Sequence, residues 1–200
     1  LVEMAGAYAA FSNGGYYIQP HTVYRIIFRS TGKEENIKYE KKRVMSEATA
    51  FMIASVLQNV QLNGGTPYNV ACKTGTTNYD DAYMDKLHMP DDAVRDSWVI
   101  GFSTKTTIGM WYGYDTMNQE MVNNGYVLHN VPATIQKDHL FNALVYSGVM
   151  EGDRSAFQEP SSVVKVGISA RSNPPKLAYP GTETVYEYFK KGTEPTEYDT

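Results

Sequence analysis

The sequence predicts a mixed α/β chain of the α+β type, an antiparallel sheet flanked by helices. Residues 1–12 place Leu1, Val2, Met4, Ala5, Tyr8, Ala9 and Phe11 at mostly helical spacing. Stretches at about 69–77, 97–104 and 106–114 are rich in aromatic and β-branched residues and read as successive strands. Two further helical patterns, one opening at Ser46 and one near Pro132, stand on either side of those strands.

Each element has a local cause. Ser12-Asn13-Gly14-Gly15 stops the first helix with residues that tolerate positive φ. Tyr16-Tyr17-Ile18 and Val23 to Phe28 read as strands separated by Pro20; Ser30-Thr31-Gly32-Lys33 is a turn, and Ile37 to Tyr39 a short return strand. Lys41-Lys42-Arg43 reads as a solvated face before a helix. Ser46 caps that helix with Glu47 behind it, and Ile53, Val56, Leu57 and Val60 form its apolar stripe up to Asn63-Gly64-Gly65. The acidic connection 78–95 is too long for a tight hairpin and is expected to cover or border something.

Asn118 to Asn130 is loop-like. The third helix carries Ile135, Leu140, Phe141, Leu144 and Val145 toward the core and fades near Gly148 to Gly152. Val163 to Ile168 is a late strand. Beyond Arg171 the chain turns polar and proline-rich, so the expected division is residues 1–170 as the folded portion and 171–200 as a tail.

Composition excludes several functions. The net charge of -4, with no basic cluster beyond Lys41-Lys42-Arg43, disfavours nucleic acid. One cysteine, Cys72, rules out a disulfide framework and a cysteine metal cage. His21, His88, His129 and His139 lack a paired spacing, and the aspartates of 78–96 lack the alternation and glycine of a calcium loop, so no metal and no cofactor are expected. No stretch approaches the roughly 20 apolar residues of a membrane span, so no membrane contact is expected from this chain itself. The chain opens inside a helical pattern, as a piece of a longer protein would.

The chemistry concentrates in Lys73-Thr74-Gly75-Thr76-Thr77-Asn78, a Lys-Thr-Gly on a strand followed by two more strands. Strand alternation puts the hydroxyls of Thr74 and Thr76 on one face, where both can meet a carboxylate, and starts Lys73 on the other. Gly75 removes a side chain where a ligand must approach the backbone. A lone tripeptide of this kind is usually only a strand near a turn; what surrounds it raises it to a site. Trp98 and Trp111 read as sheet core, Cys72 as a small packed residue, and Tyr79 and Tyr83 equally as cleft border or loop filler.

Blocks in order carry a resemblance. Met4 to Gly15 with Ile18-Gln19-Pro20-His21, then Cys72 to Asn78, Asp96 to Phe102, and Trp111 to Asp115 resemble the transpeptidase domain of class A penicillin-binding proteins. Phe157 to Ile168 and Tyr188 to Pro195 look like that family's C-terminal segments. The family usually has glycine where Cys72 stands, which bears on strand packing more than on chemistry. The resemblance implies a serine β-lactamase/transpeptidase-like fold, present here as the C-terminal half of the domain. It also implies that Lys73, Thr74, Gly75, Thr76 and Thr77 bind substrate, with Lys73 and Thr76 catalytic. Thr76 would lend its N–H to the oxyanion hole.

By the same resemblance the parent is a membrane-anchored D,D-transpeptidase on the extracytoplasmic face, with a glycosyltransferase domain upstream. Its partners would be D-Ala-D-Ala stem peptides, β-lactams and the missing N-terminal half of the domain. The family's nucleophile sits in a Ser-x-x-Lys helix followed by Ser-x-Asn. The chain holds no Ser-x-Asn, and its two Ser-x-x-Lys strings fall in a glycine turn (Ser30 to Lys33) and a strand (Ser162 to Lys165). A glycine turn does not stack serine and lysine as one helical turn would, and a strand sends residues three apart to opposite faces, so the nucleophile is expected outside this chain. The alternative from another class is a non-catalytic module of the same fold that binds or senses penicillin or wall peptide.

Overall fold

The computed structural model describes residues 1–60, 62, 69–146 and 154–200. Helix α1 (Val2–Ser12) ends where expected, with Gly14 and Gly15 at φ 76° and 91°. Gly15 is obligatory, because a Cβ there would lie 2.3 Å from the carbonyl oxygen of Met45. Strand β1 (Tyr16–Ile18) pairs antiparallel with β4 (Lys41–Arg43), Tyr16 opposite Arg43. The basic run is therefore a strand as well as an exposed face. Lys41 and Arg43 both sit over the Tyr16 ring at 4.2 Å, which explains the pairing.

Strand β2 (Arg25–Ile27) pairs with β3 (Glu34–Asn36), so the return strand comes earlier than the predicted Ile37 to Tyr39. The turn is tight: Gly32 adopts φ 68° and the amide of Phe28 donates to Lys33, which starts the pairing at once.

In α2 (Glu47–Leu57) the Ser46 hydroxyl accepts from the Thr49 amide at 3.1 Å, the expected cap. The predicted stripe of Ile53, Val56, Leu57 and Val60 is corrected in part, Leu57 and Val60 packing against the core from partly buried positions. Ala48, Ala50, Phe51 and Ala54 are the buried residues, and Val56 is 62% exposed. Alanines let the helix approach α1 and the sheet closely, and Val56 is turned to the surface. The predicted stop at Asn63-Gly64-Gly65 lies outside the described residues.

The main sheet has order β5-β6-β7: Ala71–Asn78, Ala93–Phe102 and Thr107–Gly113, all antiparallel. Two elements interrupt segments read as loops. Helix α3 (Asp81–Leu87) lies inside 78–95, capped by Asp80, whose carboxylate accepts from the Ala82 amide at 3.0 Å. Helix α4 (Gln119–Asn123) and strand β8 (Leu128–His129) lie inside Asn118 to Asn130. By pairing with Ala93 and Val94, β8 extends β6 ahead of its predicted start at 97.

Helix α5 (Asn130–Leu144) covers one face of the sheet. Phe141 and Val145 are fully buried as expected, but Ile135 and Leu140 are 41% and 45% exposed. The buried line is set by four-residue steps from Ala133 through Lys137 and Phe141 to Val145, and Ile135, Leu140 and Leu144 fall off it. The charge this buries is paired, Lys137 Nζ lying 3.4 Å from Asp138 Oδ1. The fade near Gly148 to Gly152 lies outside the described residues.

Residues 171–200, read as a polar tail, are folded. Strand β10 (Thr184–Lys190) pairs along all of β9 (Val163–Ser169), and the Ser169 hydroxyl donates to Asp199 at 2.5 Å. Exposed residues hid this strand, because β10 has no fully buried position.

The two faces of the sheet pack differently. Cys72, Val99 and Ile108 meet Phe141 and Val145; on the reverse, Ala71 and Phe102 meet Ala54, Tyr8 and Phe11. Gly101 is where α5 seats, since a Cβ there would lie 2.4 Å from the Phe141 ring. Gly101→Ala should cost about 1–3 kcal/mol of unfolding free energy in urea titration, as overpacking does at a rigid contact.

Candidate active site

Strand β5 lies at the margin of the sheet, with β6 its only strand partner among the described residues. Its burial changes along its length. Ala71 and Cys72 are sealed in the core, Thr74 and Gly75 are half-buried, and Lys73, Thr76, Thr77 and Asn78 are exposed. The buried start anchors the strand and the exposed end presents it. All five sequence-predicted site residues thus share one accessible margin.

Register settles the faces. Thr74 lies opposite Val99 and Thr76 opposite Ser97, on the side of Cys72 and α5. Lys73 lies opposite Ile100 and Gly75 opposite Trp98, on the other side. The lysine does not stay there as an outward arm. Its ammonium donates to the main-chain carbonyl of Thr74 at 2.7 Å, folding back along its own strand. A charge that starts on the far face is thereby returned to the backbone between the two threonines.

Gly75 has no fold-related reason to be glycine. Its φ is outside the left-handed region, and an added Cβ would meet the Trp98 Cβ alone, at an ordinary 3.5 Å. The backbone there is left open on the Trp98 side of the strand. Behind Thr76, Ser97 is 0% exposed, and its hydroxyl has no hydrogen-bond partner among the described residues.

Cys72 is a packed residue, its thiol donating to the Val60 carbonyl at 3.5 Å. Burial, with the Asp138 carboxylate adding, pushes the thiol up to about 11 against the opposing lysines 73 and 137. It is no nucleophile at neutral pH. Ser30 lies exposed in the β2–β3 turn, and the lysine downstream of Ser162, Lys165, holds its ammonium over the Tyr188 ring at 5.1 Å.

Trp98 and Trp111 correct an expectation. Both are half-buried rather than core, 6.4 Å apart between ring centroids, and line a cavity of about 400 Å³ with Leu1, Arg95 and Asp96. The 78–95 connection does border something. Two cavities open off the end of β5, sharing Asn78 and Tyr79. One, about 600 Å³, is walled by Tyr83, Arg95, Tyr114 and Asp115; the other, about 410 Å³, by Asp81, Asp85, Asp91 and Asp92. Tyr79 stacks on Tyr83 at 5.9 Å, and its phenol is pushed upward by burial and then by Tyr83. Among the described residues no group of three His, Cys, Asp or Glu is placed to hold a metal ion. Sequence reasoning missed the Arg95 and Asp115 walls, which were visible only as the flanks of two β-runs.

Comparison with known proteins identifies the family of the chain. The family model described as "Penicillin binding protein transpeptidase domain" matches residues 1–135, and "Penicillin-binding protein 1A, C-terminal domain" matches residues 159–200. Penicillin-binding protein 1A/1B of Bacillus subtilis is 37% identical across 98% of this chain, and penicillin-binding protein 2D of the same organism 32% across 97%. The chain spans 21% and 26% of the lengths of those relatives. Among solved structures, the penicillin-binding protein PonA1 of Mycobacterium tuberculosis aligns with 79% of this chain and 40% of its own, at TM-score 0.53 and 20% identity. That likeness speaks to fold.

Gly75→Ala should leave stability unchanged or raise it by up to about 1 kcal/mol in urea, the ordinary gain on replacing strand glycine. The same variant should slow acylation of the full-length protein by a fluorescent penicillin. Cys72 should resist a thiol-specific chromogenic reagent at pH 8 in the native state and react on unfolding, because the thiol stays protonated below about 11.

Proposed function

This chain belongs to the penicillin-binding protein transpeptidase domain family, and we propose that β5 forms the carboxylate-gripping wall of a D,D-transpeptidase active site. The observation that carries this reading is the exposed strand margin on which Lys73, Thr74, Gly75 and Thr76 stand together. An extended donor peptide ending in D-Ala-D-Ala adds alongside that margin, as peptides do at free sheet edges. Its terminal carboxylate takes the Lys73 ammonium away from the Thr74 carbonyl and receives the hydroxyls of Thr74 and Thr76. A hydrogen bond to a charged group is worth about 1.5–3 kcal/mol against roughly 0.5–1.5 for a neutral one, so the exchange is favourable.

With the carboxylate held, the scissile carbonyl lies beside the main-chain N–H of Thr76, which donates to the oxygen as charge develops. Losing one such donor costs about 2.7–4 kcal/mol of transition-state stabilisation. A serine outside this chain attacks the carbonyl carbon, D-Ala leaves, and an amine of a neighbouring stem peptide resolves the ester. A β-lactam enters as a donor mimic. The parent is a membrane-anchored cell-wall enzyme facing outward, with a glycosyltransferase domain upstream. No helix among the described residues here is long and apolar enough to cross a membrane.

Lys73→Ala in the full-length protein should slow acylation by a fluorescent penicillin by about 10- to 150-fold, the kinetic equivalent of one charged hydrogen bond. An unchanged rate removes Lys73 from the site. The isolated 200-residue chain should take no covalent penicillin label. A label on Ser30 or Ser162 by mass spectrometry would overturn the external nucleophile.

A further inference from the structure

We propose that the tyrosine-walled cavity at the end of β5 receives the amine-bearing acceptor peptide, a reading that rests on the carboxylate grip by Lys73, Thr74 and Thr76. The cavity begins at Asn78, two strand residues past Thr76, or roughly 7 Å at strand rise. An acyl group anchored at Thr76 and an amine projecting from this cavity can meet, whereas none of the described cavities reaches β5 from its buried end.

Shape and chemistry then select the ligand. At about 600 Å³ the cavity suits a peptide segment rather than a water or an ion. Tyr79, Tyr83 and Tyr114 offer ring faces, which attract ammonium groups. Asp80 and Asp115 outnumber the single cation, Arg95, and the neighbouring cavity adds Asp81, Asp85, Asp91 and Asp92. These acids are not arranged to chelate a metal, so their effect is a field that concentrates cationic ligands.

The two ends of β5 thus carry opposite signs suited to the two reactants of one transfer. Donor carboxylate goes to Lys73 and acceptor ammonium to the acidic end. The amine then gives up a proton, its nitrogen bonds to the acyl carbon, the ester C–O bond breaks, and the serine oxygen takes a proton.

The test compares two acceptors on the full-length protein acylated by a thioester donor: D-alanine amide, a cation, and D-alanine, a zwitterion. The readout is the ratio of aminolysis rates, so any general loss of activity cancels. The wild type should prefer the cation, and Asp115→Lys should lower that preference about tenfold, as focusing by local charge predicts. Should Asp115→Lys fail to fold, Asp115→Asn should lower it about threefold by the same cause. A wild type indifferent to acceptor charge, or variants that keep its preference, overturns the acceptor assignment. Acylation at an unchanged rate in Lys73→Ala instead removes the carboxylate grip itself, so the two failures are distinguishable.

Discussion

The antiparallel register between β5 and β6 is the constraint on which the rest of the structure depends. It holds Cys72 against Gly101 and seals that end under Phe141, and farther along the strand it leaves Thr77 and Asn78 at the surface. One strand is therefore core at its start and accessible at its finish. A one-residue slip would send Thr74 and Thr76 to the face occupied by α1 and α2 and put Lys73 under α5. The bulge between Thr77 and Asn78 marks where pairing stops dictating geometry and the cavity walls begin.

Helix α5 secures that register at a cost in polarity. Its buried line includes Lys137 and Asp138, adjacent residues whose charges meet at 3.4 Å under the sheet. Such a pair adds little net stability against an apolar replacement, although removing one partner alone strands a charge. The pair lies on the face that holds Ser97 and Thr76, and Asp138 acts on the Cys72 thiol next to Lys73. The polar layer behind the strand is thus part of the environment of the groups in front of it.

Charge is distributed unevenly around β5. Lysine stands near its anchored end, and aspartates crowd the connection that leaves it. The chain covers about a fifth to a quarter of its relatives' length. What this margin supplies on its own is exposure and an uneven distribution of charge along a single strand.

Much of this was legible beforehand because it is written at short range. Ser46 caps a helix through its own hydroxyl, Gly14 and Gly15 turn the chain because only glycine does so cheaply, and Thr74 and Thr76 share a face because strands alternate. What escaped depends on partners far along the chain. Lys41-Lys42-Arg43 becomes a strand only beside Tyr16, β10 only beside β9, and α2 and α5 choose their buried faces by what they can approach closely. Arg95, Tyr114 and Asp115 converge with Tyr79 only after β6 and β7 have paired. Local sterics and hydrogen bonding determine turns, caps and alternation within a few residues, so the sequence alone carried them. Choice of neighbour is settled by the summed burial of distant side chains, and that only the tertiary structure decided.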